Sequence, residues 1–279
     1  MNKSSNEINT WRCLESGPSN AFRNMAVDEA LLLCFEPLSS LSILRFYLWE
    51  PPGLSLGYFQ KACEVDLSYC KTSGADLVRR PTGGRAILHE HEITYSIVMP
   101  VSNGVSVLES FKKINQALCS GLNLLGLPAI LVPHEKKADP ADPKNIKVSA
   151  CFASPSWYEV QVDGKKILGS AQTRKKGVLL QHGSLLLRLE REKLYSMFNF
   201  SSEEKKKEAL SESFEKMTSA EEILGNIPPE EAVCAALRHG FEEEYEIRLS
   251  SSSLSAEEER VASALEREKY RTSAWNLRR

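Results

Sequence analysis

The sequence has no apolar run near the roughly 20 residues that span a bilayer, and its opening, MNKSSNEINTW, lacks the apolar core of a signal peptide. Strong charge of either sign is missing too. The formal net charge is −2 over 279 residues, which offers no basic face for nucleic acid. Seven scattered cysteines form no CxxC and no Cys/His cluster, and the five histidines assemble no metal set, so neither a disulfide framework nor zinc is indicated. GxxxxGK[ST], GxGxxG and GxSxG are all absent, which argues against a Walker loop, a dinucleotide fold and a nucleophile elbow. No internal repeat is visible. What remains is 42% hydrophobic and 26% charged, the balance of a globular protein with chain enough for a core. The expectation is a reduced cytoplasmic protein with no membrane or nucleic-acid partner and no metal.

Local patterns then predict elements. NMAVDEALLLCF, residues 24–35, has an apolar stripe with early acids and reads as an amphipathic helix. LSILRFYLWEPPGLSLGYFQ reads as two strands broken by Pro51, Pro52 and Gly53. In ADLVRRPTGGRAILHEHEITYSIVMP a strand, a glycine turn and an alternating strand follow one another, and VLESFKKINQALCSGLNLLGL has helical spacing. Asp163-Gly164 favours a tight hairpin, because both central residues tolerate positive φ. GVLLQHG and SLLLRLE read as two further strands, and the charged, Ser-rich stretch after residue 200 as a surface segment or linker. Two helices are expected at 229–245 and 256–271, the second opened by Ser255 and Glu258 at capping-box spacing. This order says α+β.

Four constellations can carry chemistry, each with a plainer alternative. In RRPTGGRAILH the glycines Gly83 and Gly84 let backbone approach a ligand, with arginines at both ends to hold an anion, or else form an ordinary turn. Cys151 follows a polar loop and is surrounded by serines, as a reactive thiol would be, while most free cysteines are inert packing. Lys165 and Lys166 point to opposite faces of a strand, so at most one meets a pocket. Regular alternation places Lys166 with Leu168 and Ser170, and Lys165 with Ile167 and Gly169. Both lysines are equally compatible with a solvated edge. Finally, Gly169, Ser170 and Ala171 leave room beside a strand, and Gln172 supplies an amide. On residue type alone, His89 and His182 read as structural hydrogen-bonders.

Taken in order and spacing, RRPTGGRAILH, ITYSI and GKKILGSAQTR resemble the signature segments of the lipoate/biotin protein ligase and octanoyltransferase superfamily. Within it, CFASPSWYEV and the frame from Trp11 to Trp275 and Asn276 look most like the LipM-type octanoyltransferases, over nearly the whole chain. The resemblance implies a mixed sheet flanked by helices, like the biotin protein ligase catalytic core. That core would cover residues 11–200, extensible to about 250, with a charged segment and C-terminal helices, residues 201–279, packed on it. It implies transfer of octanoyl from octanoyl-acyl carrier protein to a lysine of an apo lipoyl-domain protein such as the glycine-cleavage H protein. No ATP or metal is then expected. Cys151 matches the thiol that carries the acyl group as a thioester, and Lys166 the lysine that lowers its pKa. Arg79, Gly83, Gly84 and His89, with Gly169, Ser170, Ala171 and Gln172, match the walls around the acyl chain. Two sister reactions share the frame, ATP-dependent lipoate ligation and lipoyl amidotransfer.

Overall fold

The computed structural model describes residues 9–101, 104–133 and 158–279. Strand β1 (Asn9–Ser19) buries Trp11, Cys13 and Leu14 and runs into helix α1 (Ala21–Cys34). This helix starts three residues before its expected position because the Asn20 side chain accepts the Arg23 N–H at 2.8 Å and caps it. β2 (Ile43–Trp49) and β3 (Gly53–Leu56) flank the two prolines as expected, yet they enter different sheets. Next come α2 (Leu67–Thr72), β4 (Asp76–Arg79), β5 (Ile87–His89), β6 (Glu92–Pro100), α3 (Val107–Leu124) and β7 (Ile130–Pro133). β8 (Tyr158–Val162) and β9 (Lys165–Lys175) form the expected hairpin, with Asp163 and Gly164 at φ +50° and +75°.

β10 (Val178–Leu186) is one strand where the sequence reads as two. Gly183 does not break it. A Cβ there would lie 2.7 Å from the Tyr95 ring and 2.8 Å from Ser170 Oγ, so glycine makes room for those side chains to meet across the sheet. Then follow α4 (Arg191–Ser196), α5 (Glu203–Lys216), α6 (Ala220–Leu224) and α7 (Glu230–Tyr245). The charged segment is thus helical rather than a linker. Ser202 caps α5, and Ala209 and Ser213 are buried on its inner side. β11 (Ile247–Ser251), α8 (Ala256–Leu265), a π-helical turn over Glu266–Tyr270 and α9 (Ser273–Asn276) end the chain. Ser255 and Glu258 form the anticipated capping box.

Eight strands form the main sheet in the order β11-β1-β2-β6-β10-β9-β8-β7, and β4-β3-β5 form a smaller one. α3 and α7 cover one face of the main sheet over a core that includes Tyr95, Ile97, Leu118, Leu237 and Phe241. α1 and α8 cover the other near Leu14, Leu31, Val98 and Leu180. A third apolar cluster joins the small sheet to α4, α5 and Met217. The edge of the small sheet therefore faces the α1 side of β10 and β9, and the site lies there.

Candidate active site

Arg79, at the end of β4, is fully buried and does not line the cleft. Its Nη1 donates to the carbonyls of Gly57 (2.8 Å) and Gln60 (2.7 Å), and its Nε donates to Asn276 O at 3.1 Å. The arginine that reaches the cleft is its neighbour, Arg80. Arg80 Nη2 donates to Gly83 O (2.7 Å) and Arg85 O (2.6 Å), so one guanidinium clasps both ends of the glycine turn. Gly84 sits at φ +89°, which glycine adopts without strain. Its carbonyl lies against Gly57, where a Cβ would come within 1.9 Å of that oxygen. Gly57→Ala should therefore push the loop away. We expect a stability loss of about 1–3 kcal/mol, seen as a lower melting temperature, together with slower turnover. An unchanged melt and rate would show that the loop does not rest on Gly57.

Below the loop lies a buried polar network. Asp28 is fully buried and accepts from Arg45 Nη1 (2.7 Å), Tyr47 Oη (2.9 Å), Ser96 Oγ (2.8 Å) and His182 Nδ1 (2.9 Å). Burial alone would raise its pKa. The Arg45 charge and the hydrogen bonds from His182 and Ser96 outweigh that and hold the carboxyl below the usual range. Since His182 donates through Nδ1, its Nε2 accepts from Thr82 Oγ1 at 2.6 Å, which fastens the glycine loop to α1. Burial lowers the His182 pKa despite Asp28, so the ring is neutral at pH 7. His89 has a parallel arrangement. Its Nδ1 donates to Glu92 at 2.8 Å and its Nε2 accepts from Ser55 Oγ at 2.7 Å, while Ser55 Oγ accepts from Arg80 at 3.1 Å. Trp49 stacks on the His89 ring at 3.8 Å between centroids.

The opposite wall comes from β9, and here the register departs from regular alternation. Val160 pairs with Leu168, but Gln161 pairs with Lys166, so Ile167 is an extra residue, a β-bulge. Paired residues share a face, and Val160 points into the α3 core. Lys166 consequently leaves the face of Leu168 and Ser170, where alternation put it, and joins Gly169 and Ala171 on the cleft side. Lys166 and Glu159 are both buried, with Nζ 3.1 Å from Glu159 Oε1. Lys165 is half-exposed. Gly169 and Ala171 line the cleft, whereas Ser170 and Gln172 face α3. Ser170 Oγ meets Tyr95 Oη at 2.7 Å and Gln172 Nε2 donates to Gln181 Oε1 at 3.0 Å.

Cys151 lies outside the described residues. Among the others, burial pushes the Cys13 and Cys70 thiols up to about 11 and those of Cys119 and Cys234 up to about 12, which disfavours their thiolates. No group of three or more His, Cys, Asp or Glu among the described residues is arranged to hold a metal, and no described helix is long and apolar enough to cross a membrane.

The cleft between these walls is narrow, with Met25, Trp49, Arg80 and His89 on one side and Gly169, Ala171 and His182 on the other. Sequence reasoning missed Arg80, Trp49 and Met25. The RR doublet alone does not tell which arginine turns inward, and Trp49 and Met25 read as ordinary core residues. Residues 20–242 match the lipoyl protein ligase A/B catalytic domain family. The octanoyltransferase LipM of Lysinibacillus sphaericus is 42% identical over 276 residues, which cover 98% of this chain and all of that protein. LipM of Kyrpidia tusciae is 43% identical, again over 98% of this chain and its own whole length.

The chain belongs to the LipM octanoyltransferase family.

Solved structures place that family's fold beside the ligases. A bipartite lipoate protein ligase of Thermoplasma acidophilum, from a structural analysis that includes its E2 lipoyl domain, superimposes with a TM-score of 0.81. It is 28% identical, and the match covers 96% of each chain. A lipoate-protein ligase A bound with ATP gives 0.78 at 28% identity, covering 96% of this chain and 98% of its own. The α+β architecture expected from the sequence is the one these proteins share.

Proposed function

We propose that this LipM family member is a protein N-octanoyltransferase of the cytoplasm. It moves octanoyl from octanoyl-acyl carrier protein to a lysine of an apo lipoyl domain, the glycine-cleavage H protein being the expected acceptor. The Cys151 thiolate attacks the carrier thioester, the carrier thiol leaves with a proton, and octanoyl-Cys151 results. The acceptor amine then attacks that thioester, loses its proton, and releases Cys151 as the amide forms. Thioester to amide is downhill, so neither ATP nor metal is required. An ordinary thiol with pKa near 8.5 is only a few per cent ionised at pH 7, and the Lys166 ammonium on the cleft face would raise that fraction. Arg80, His89 and the backbone of Gly83 and Gly84 shape the opposite wall, with Gly169 and Ala171 beside the acyl chain.

The observation that carries this reading is Lys166, placed by the bulge on the cleft side of the sheet, in a chain whose full-length relatives are octanoyltransferases. Structural likeness to an ATP-bound ligase supports a second reading, adenylation of a free acid. The two are separated by supplying octanoyl-carrier protein and apo H protein without ATP or magnesium. Octanoyl-H protein should accumulate, while free octanoate with ATP should give little. Strict ATP dependence would decide for the ligase.

A further inference from the structure

An aromatic and basic patch borders the glycine loop, outside the residues that line the cleft. Tyr58 N–H donates to Thr82 O at 2.8 Å, which ties the loop over residues 57–61 to the glycine loop in one wall. Phe59, next along, is 68% exposed, with its ring edge-on to Tyr58 at 4.8 Å. The C-terminal residues lock onto this loop. Ala62 N–H donates to Arg279 O at 2.8 Å, and the Arg278 guanidinium lies between the Tyr58 and Trp275 rings, 3.9 Å from each. Arg279 stands 5.2 Å over Phe59.

Positive side chains are concentrated here. Among the described residues Lys61, Arg278 and Arg279 form no ion pair, and the nearby carboxylate, Glu64, is engaged by Arg85 at 3.2 Å. Beneath the patch, burial and then repulsion from Arg278, Arg279 and Arg80 lower the Arg79 pKa. An exposed aromatic ringed by arginines is the composition of an interface hot spot, and its excess charge selects a carboxylate-bearing partner.

We propose that Phe59, Lys61, Arg278 and Arg279 dock the lysine-bearing acceptor domain through an acidic face of that domain. The inference rests on the acyl-transfer reading above. The acceptor is favoured over the carrier by reach. A lysine amine extends only roughly 6 Å from its Cα, so the acceptor must sit at the cleft rim, whereas a carrier delivers its thioester on a longer flexible arm. The patch shares a wall with that rim.

The test uses Lys61→Glu/Arg279→Glu and, separately, Phe59→Ser. The Ala62–Arg279 bond is between backbone groups, so these changes leave the C-terminal lock in place. Two half-reactions are followed: loading of the enzyme from octanoyl-carrier protein, and transfer to apo H protein. Loading should stay within about twofold of wild type, while the KM for apo H protein rises about tenfold and kcat at saturation is kept. Rising salt should raise the wild-type KM and hardly affect the double variant. A parallel fall in loading would assign the patch to the carrier, and an unchanged acceptor KM would remove it as a docking site; either overturns the proposal. If wild-type enzyme does not load, the transfer reading fails by itself. Calorimetric binding of apo H protein still reads the patch in that case, and equal affinity in wild type and variants would overturn it.

Discussion

Lys166→Met should slow loading from octanoyl-carrier protein by about 10- to 100-fold at pH 7 and by much less at pH 9. The size follows from the proposed pairing: without the Lys166 ammonium, Cys151 would have the ordinary thiol pKa of about 8.5 or above, and raising the pH would restore the thiolate that the lysine supplies. Lys165→Met should change loading little, because Lys165 pairs with Val162 and so lies on the opposite face of β9 from Lys166. A complication follows from the Lys166–Glu159 pair, both members of which are buried. Taking away one partner of a buried ion pair typically costs about 3–5 kcal/mol, so the single variant should also melt early. Lys166→Met/Glu159→Gln should recover much of the melting temperature without recovering loading at pH 7. Recovery of both together would make Lys166 a structural residue only.

Asp28→Ala should destabilise the fold by about 3–5 kcal/mol, because Arg45 is 1% exposed and would keep its charge without its carboxylate. At roughly 2–4 °C per kcal/mol, that lowers the melting temperature by about 10 °C. Asp28→Asn keeps the shape and should fall between. The same network sets the acid limb of stability. His182 has a lowered folded pKa, so below its unfolded value of about 6.5 the unfolded chain takes up a proton that the native ring does not, and stability falls as pH drops. Asp28 adds a second loss. Its folded pKa is also depressed, so its contribution is present above about 3.9 and disappears as pH falls through the folded value. Urea midpoints from pH 7.5 to pH 3 should show both parts, and His182→Gln should remove the first. A flat profile between pH 7 and pH 5 in wild type would contradict the assignment of a neutral His182.

Which parts of this were legible depends on how local their cause is. The Asp163 and Gly164 turn, the Ser255 and Glu258 capping box and the prolines between β2 and β3 act through their immediate neighbours, and each is readable from the sequence. β1, β7 and β11 are not readable from the sequence. β1 and β11 pair in parallel across most of the chain, β7 is four residues long, and neither short edge strand carries a long alternation. Nor does sequence spacing reveal the Ile167 bulge, because it exists only relative to β8, yet it decides which face Lys166 occupies. The sequence divides at Gly183 into two apparent strands, since glycine usually weakens a strand. The reason for glycine here is a ring from β6 and a hydroxyl from β9 that need the space. The Arg79 and Arg80 doublet shows the same limit, since their opposite fates depend on Asn276 and Gly83, far apart in sequence.

The central claim is that acyl transfer passes through Cys151, and the mass of the intact protein tests it most directly. Wild-type enzyme mixed with octanoyl-carrier protein, without ATP, should gain the mass of one octanoyl group, mapped by peptide analysis to Cys151. Neutral hydroxylamine should remove it, since it cleaves thioesters and spares amides, and apo H protein should take it up. Cys151→Ser and Cys151→Ala should show no such labile adduct. Octanoyl-H protein formed at the normal rate by Cys151→Ala, or an adduct that resists hydroxylamine, would contradict the account.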